Sequence, residues 1–251
     1  GDVYKRQMYN TMLGGDKCRQ ATDLYFDRHD GTAATTDDFA LTMEEVGGVD
    51  LKQFKRWYQQ AGTPLLTVSE SFREGILRLE VEQSCPSTPG QLVKKPFHIP
   101  VELGLINSDG QSTSLDSLEI FSDAKHELLK NGQSLLFHLK SEKTKIELGN
   151  FNTKPVVSFL REFTAPVKVD YSRPLSELVY LAGLDTDGFV RWDSLQSLWV
   201  EYFKTDGELQ GVDAIDSIGA IAKGLLEESL EAEAKHLMAY MLKIPDENYL
   251  F

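Results

Sequence analysis

The spacing of apolar residues changes twice along the chain, and no other feature constrains its fold as strongly. Up to about residue 60 they recur every three to four positions; from Leu65 they recur every two; after Arg173 and Pro174 the longer spacing returns. A period near 3.6 places apolar groups on one face of a helix, and a period of two places them on one face of a strand. Blocks of each kind, with no helix between successive strands, exclude a fold built from βαβ units. The pattern predicts an α+β multidomain chain: a helical segment over 1–60, an antiparallel β-sandwich of about seven strands over 61–170, and a second helical segment over 171–251.

Within the first block, Asp16 is placed to cap a helix carrying Cys18, Ala21, Leu24 and Tyr25, with Gly31 as its stop. Thr35 and Asp38 have capping-box spacing ahead of Phe39, Met43 and Val46, and Gly47 with Gly48 ends that run. A third helix is expected from Asp50 through Leu51, Phe54, Trp57 and Tyr58 until Gly62 and Pro64 break it. The opening Gly1 to Gln7 lacks an initiating Met, is polar and basic rather than signal-like, and reads as a non-native junction outside the fold.

In the middle block Leu77, Leu79 and Val81 alternate with Arg78, Glu80 and Glu82. Further strands are expected at His98 to Ile106, Leu135 to Lys140, Thr144 to Gly149, Val156 to Phe163 and Val167 to Tyr171. Turn clusters separate them at Pro86 to Gly90, Asn107 to Gly110, Asn131 to Gly132 and Asn150 to Pro155. In the last block Leu175, Leu178, Val179 and Leu181 mark one helix, and Phe189, Trp192, Leu195, Leu198 and Trp199 a second. Leu225, Leu226, Leu230, Leu237, Met238 and Met241 mark a third, with Glu227, Glu228, Glu231 and Glu233 as its solvated face.

Charge follows the same partition. The chain of 251 residues carries 26 Lys and Arg against 39 Asp and Glu, net −13, of which −9 falls in 171–251 and −2 in each earlier segment. Such a field disfavours nucleic acid and anionic lipid. No apolar run approaches the ~20 residues of a membrane span. Cys18 and Cys85 lie in segments of different type, which argues against a disulfide and for a reducing compartment, the cytoplasm.

The chemistry-bearing residues do not assemble into a catalytic motif. Of His29, His98, His126, His138 and His236, no two stand four apart, and the nearest approach to H-E-x-x-H, starting at His126, has Lys130 where the second ligand belongs. An ammonium offers a dication no lone pair. There is no G-x-S-x-G elbow, and Gly14-Gly15 and Gly47-Gly48 punctuate helices rather than cradle phosphate. Asp185 to Gly188 opens like a calcium loop but lacks the later ligands and reads as a helix cap, as does the carboxylate pair Asp37 and Asp38. No catalytic, substrate-binding or metal-ligating residue is assigned.

Two long stretches, Leu24 to Phe39 and Phe54 to Pro64, resemble consecutive parts of the aminopeptidase N family, zinc-dependent alanyl aminopeptidases of the gluzincin class. The likeness continues at Pro96 to Pro100, Leu160 to Lys168 and Phe189 to Asp193, colinear from about Met8 to Asp193 and weaker beyond. The resemblance implies a fragment of a larger metallopeptidase: the last helices of a thermolysin-like catalytic domain in 1–60, a complete β-sandwich in 61–170, and the opening helices of a C-terminal lid domain in 171–251. It implies zinc and peptide substrates for the whole enzyme, the remaining catalytic and C-terminal domains as partners, and no nucleic acid or membrane. The family's H-E-x-x-H and G-A-M-E-N motifs do not occur here, and Tyr4 is too close to Leu13 and Gly14 to take the family's catalytic tyrosine role. The stretch is therefore expected to hold no cofactor and to be inactive alone, a spacer between catalytic and lid domains. The alternative from the residues alone is a free-standing, non-catalytic β-sandwich binding module.

Overall fold

The computed structural model describes residues 2–107, 112–129, 133–204, 214–231 and 242–245, with the side chains of 214–215 and 225–231 left aside. Four helices come first: α1 (Asp2–Leu13), α2 (Gly15–His29), α3 (Thr36–Gly47) and the short α4 (Arg56–Gln59). Asp2 to Gln7, set aside in the sequence reading, lie within α1. They form the first turns of α1, whose later residues Met8 and Tyr9 are fully buried. Asp16 lies inside the first turn of α2 rather than capping it; the cap position is Gly14, at φ 78°. The Thr35 box forms as expected: Thr35 Oγ1 accepts the Asp38 N–H at 3.2 Å and the Asp38 carboxylate accepts the Thr35 N–H at 2.8 Å. Gly48 ends α3 in the left-handed region at φ 68°.

The third expected helix is reduced to α4. Two carboxylates divert its start: Glu44 Oε1 accepts the Leu51 N–H at 2.7 Å, and Asp50 Oδ1 accepts the Lys52 N–H at 2.9 Å. These local bonds compete with a helical ladder and leave turns over 52–55. Leu51 and Phe54 are still buried completely.

Nine strands follow among the described residues: β1 (Leu65–Arg73), β2 (Ile76–Ser84), β3 (Ile99–Ile106), β4 (Glu119–Ser122), β5 (Lys125–Leu129), β6 (Ser134–Leu139), β7 (Lys143–Gly149), β8 (Val156–Phe159) and β9 (Lys168–Tyr171). They form a five-stranded sheet ordered β4-β7-β2-β1-β9 and a four-stranded sheet ordered β5-β6-β3-β8. The two strands beyond the expected seven, β4 and β5, are short and lie at sheet edges, where apolar Phe121 and Leu128 point outward and blur the alternation. One pair departs from antiparallel: β9 runs parallel to β1, with Leu65 opposite Lys168. The strand expected over Val156 to Phe163 stops at Phe159, because Leu160 takes φ 58° and Glu162 φ 56° around a 3-10 turn at Arg161–Phe163.

Three helices close the described chain: α5 (Leu175–Leu184), α6 (Gly188–Lys204) and α7 (Ala214–Glu231). Leu237, Met238, Met241, Glu233 and His236 lie outside the described residues, as do most of the turns at 107–110 and 131–132.

A single apolar core joins α1 to α3 with both sheets: Met8, Tyr9, Met43 and Phe54 belong to the same cluster as Leu77, Leu103 and Phe137. A smaller cluster of Ala182, Leu195, Leu198, Ile218 and Ile221 holds α5 to α7 together.

Candidate functional site

The covered face of the four-stranded sheet collects a connected set of buried polar groups. Strand positions of even number on β3 and β6 face outward from the sandwich, and on a solvated sheet they would be exposed. Here Glu102, Ser134, His138 and the neighbouring His98 are all buried. Ser134 Oγ donates to Glu102 Oε1 at 2.8 Å, and the Glu102 N–H donates to Thr164 Oγ1 at 3.2 Å. These bonds lead to the turn at 160–164, where three parts of the chain meet.

From α1, the Gln7 amide donates to the carbonyls of Glu162 (3.1 Å) and Phe163 (3.4 Å), while the Tyr4 ring packs edge-on against Phe163 at 5.6 Å. From the loop between α5 and α6, Asp187 Oδ2 accepts the Glu162 N–H at 2.9 Å and Thr186 Oγ1 accepts from Arg161 Nη2 at 2.7 Å. Asp187 also caps α6 by accepting the Val190 N–H at 2.9 Å, so the Asp185 to Gly188 loop is a helix start as its sequence suggested. The Phe189 ring packs at a tilt against Phe163, with centroids 4.9 Å apart. Arg161 is buried, 3.7 Å from the Asp185 carboxylate, and its Nε and Nη1 have no hydrogen-bond partner. Burial pushes the Asp185 carboxyl up. Gly104 makes room for the guanidinium: a Cβ there would stand 2.1 Å from Arg161 Nη1. Non-glycine residues at positive φ cost about 1–3 kcal/mol each and persist where surroundings over-determine them. Leu160, Glu162 and Phe163 are three such residues within four positions.

A second polar seam flanks the exit from the sandwich. Lys154 Nζ lies 2.7 Å from Glu70 of β1 and 2.7 Å from Glu177 of α5. Tyr171 donates its hydroxyl to Glu70, and the Arg173 guanidinium lies 3.7 Å over the Tyr171 ring. Burial would lower the Lys154 ammonium's pKa, but the bonds to Glu177 and Glu70 outweigh it and raise it.

Glutamine amides stitch the irregular segment 91–97 to its neighbours. Gln83 accepts the Phe97 N–H at 2.7 Å and donates to the Phe97 carbonyl at 3.1 Å; Gln60 does the same with Lys95 at 2.8 and 2.9 Å. Trp57 Nε1 donates to the His98 carbonyl at 2.8 Å, Gln53 Nε2 to Pro96 O at 3.1 Å, and Arg56 also to Pro96 O. The nearby cleft lined by Gln83, Cys85, Lys94 and Phe97 is about 200 Å³, below the ~300 Å³ at which ligand pockets begin.

Among the described residues no three His, Cys, Asp or Glu side chains are grouped to hold a metal, so the zinc implied by the family finds no fitting ligand set. His126 and Glu127 lie on β5, not on a helix, which removes the geometry that an H-E-x-x-H pair requires. Cys18 and Cys85 are unpaired, and burial raises both thiols. Asp37 pairs with Lys55 at 2.8 Å. No helix among the described residues is long and apolar enough to cross a membrane.

The architecture defines a class: an Ig-like sandwich followed by stacked helices. A family model described as a domain of unknown function, DUF3458, with an Ig-like fold, matches residues 62–172, and one described as DUF3458_C, ARM repeats, matches 175–251. Aminopeptidase N of Escherichia coli (strain K12) is 34% identical over 255 aligned residues, covering 96% of this chain and 27% of the relative. The Haemophilus influenzae aminopeptidase N is 35% identical over 78% of this chain and 21% of its own length, and that of Caulobacter vibrioides 32% over 98% and 27%. Among solved structures, the Legionella pneumophila aminopeptidase A crystallised with aspartic acid superposes with a TM-score of 0.74 at 21% identity, over 99% of this chain and 26% of that one, a likeness of fold. Over most of its length the chain is similar to these aminopeptidase N relatives, and it spans about a quarter of their length.

Proposed function

We propose that this chain is the spacer region of a larger zinc metalloaminopeptidase that removes N-terminal residues from peptides in the cytoplasm. Residues 1–60 belong with a catalytic domain, 61–170 form the sandwich, and 171–251 begin a helical lid; the partners of the stretch are the remaining parts of those two domains. The observation that carries this reading is the turn at 160–164, bonded on one side to α1 through Gln7 and on the other to the α5–α6 loop through Asp187 and Thr186. A turn held from both sides transmits position rather than flexing, which suits a part whose role is to keep two others at a fixed separation. The free thiols at Cys18 and Cys85 support a reducing compartment.

The stretch is inactive on its own in this reading. Purified chain supplied with zinc should retain no stoichiometric metal after dialysis and release no amine from an alanyl anilide. Zinc-dependent turnover would overturn the assignment.

A further inference from the structure

The buried histidines of the covered sheet form a string whose direction is fixed by its first member. Glu127 of β5 presents Oε1 to His138 Nε2 at 3.1 Å, and His138 Nδ1 lies 2.9 Å from His98 Nε2. A carboxylate only accepts, so His138 carries its proton on Nε2 and offers a lone pair at Nδ1. His98 must then donate from Nε2, which leaves its own Nδ1 as a bare lone pair. That nitrogen is buried without a hydrogen-bond partner, and His98 as a whole is 3% exposed. Two ring nitrogens 2.9 Å apart share a hydrogen and leave no place for an ion between them.

The string ends beneath the attachment of residues 53–60. The His98 carbonyl holds Trp57, the two residues before it hold Gln53 and Arg56, and the Phe54 ring meets the His98 ring edge-on at 6.1 Å. We propose that Glu127, His138 and His98 form a proton-sensitive latch that clamps residues 53–60, and the helical layer built on them, to the sandwich while both imidazoles are neutral, and loosens that layer on acidification. The only site left for an added proton is His98 Nδ1, and an imidazolium there would be buried with no acceptor. The charged neighbours oppose it too: Lys125 on β5 and Lys140 beyond β6 are cationic, Glu127 is satisfied by His138, and the 53–57 segment brings the Phe54 ring against His98, the Arg56 cation to the Pro96 carbonyl and Lys55 paired with Asp37.

Burial above all, with Lys140, His138 and Lys125, lowers His98 from 6.5 to about 3, and burial likewise lowers His138. A histidine held down in the closed form stabilises that form fully above pH 6.5 and loses the contribution as pH falls toward 3. For His98 alone, the opening equilibrium should rise about 25-fold from pH 7 to pH 5.

Hydrogen exchange on the full chain, corrected for intrinsic pH dependence, reads this directly. Opening over 53–60 and 94–98 should increase about 25-fold between those pH values, with β2 and β7 unchanged. His98→Gln keeps a donor toward His138 and removes the His98 lone pair, so its exchange should respond to pH clearly less than the wild type, with His138 as the titrating group that remains. A flat wild-type response, or an equal response in H98Q, overturns the latch. Should H98Q fail to fold, imidazole ¹⁵N shifts of the wild type decide: both rings must be Nε2–H tautomers at pH 7, and an Nδ1–H ring at either position overturns it.

Discussion

The two sheets of the sandwich are built from similar strands and treat their outer faces in opposite ways. In the five-stranded sheet, β2 and β7 place Arg78 against Glu147, Glu80 against Lys145 and Glu82 against Lys143, three cross-strand ion pairs in solvent. In the four-stranded sheet the equivalent positions carry His138, Glu102 and Ser134, all buried, His138 against His98 and the other two beside the 160–164 turn. A charge ladder marks a face that water completes; a row of buried, mutually bonded polar groups marks a face that other protein must complete. The first sheet would survive loss of the helices, and the second would expose a polar seam matched to partners no longer there.

That contrast breaks most visibly under Phe54→Ala. This substitution empties the centre of the layer over the covered sheet and should cost about 3–5 kcal/mol in denaturant unfolding. If it costs under 1, the helices and the sandwich do not share a core. Arg161→Met should cost about 3 kcal/mol by stranding Asp185 in its buried position, with faster exchange in both α1 and the α5–α6 loop. Exchange quickening on one side only would show that the turn does not couple the two. Gly104→Ala comes next at about 1–3 kcal/mol, since its methyl collides with the guanidinium; adding Arg161→Ala should recover part of the loss. Arg78→Ala on the open face should shift the unfolding midpoint by no more than about 0.5 kcal/mol, and by less in high salt. A cost near that of Arg161→Met would erase the distinction between the faces.

The open face was legible because water enforces strict alternation: Leu77, Leu79 and Val81 against Arg78, Glu80 and Glu82 could be read without coordinates. The covered sheet was legible only as strands. β3 and β6 are buried along both faces, and near-continuous apolar runs say nothing about which neighbour covers which side. The edge strands β4 and β5 escaped notice because four or five residues with apolar groups turned outward carry no period. The Thr35 cap was readable from spacing alone, and the matched relatives agree with the resemblance seen at Leu24 to Phe39. The polar seam had no signal at all. A left-handed Leu160 or Glu162 has no residue preference to betray it, and histidines 40 positions apart meet only through strand register. The glutamine stitching is equally silent, because Gln60 and Gln83 look like any exposed amide until their backbone partners are placed.

The parallel pairing of β1 with β9 has a mechanical consequence. The chain enters the sandwich at Leu65 and leaves along the neighbouring strand in the same direction, past Tyr171. Tension applied between the two flanking helical parts would therefore slide β1 against β9 and load their hydrogen bonds side by side, instead of peeling them apart one at a time. The sandwich is strung in line, like a bead whose thread passes straight through, and resists extension along the axis on which its neighbours would pull.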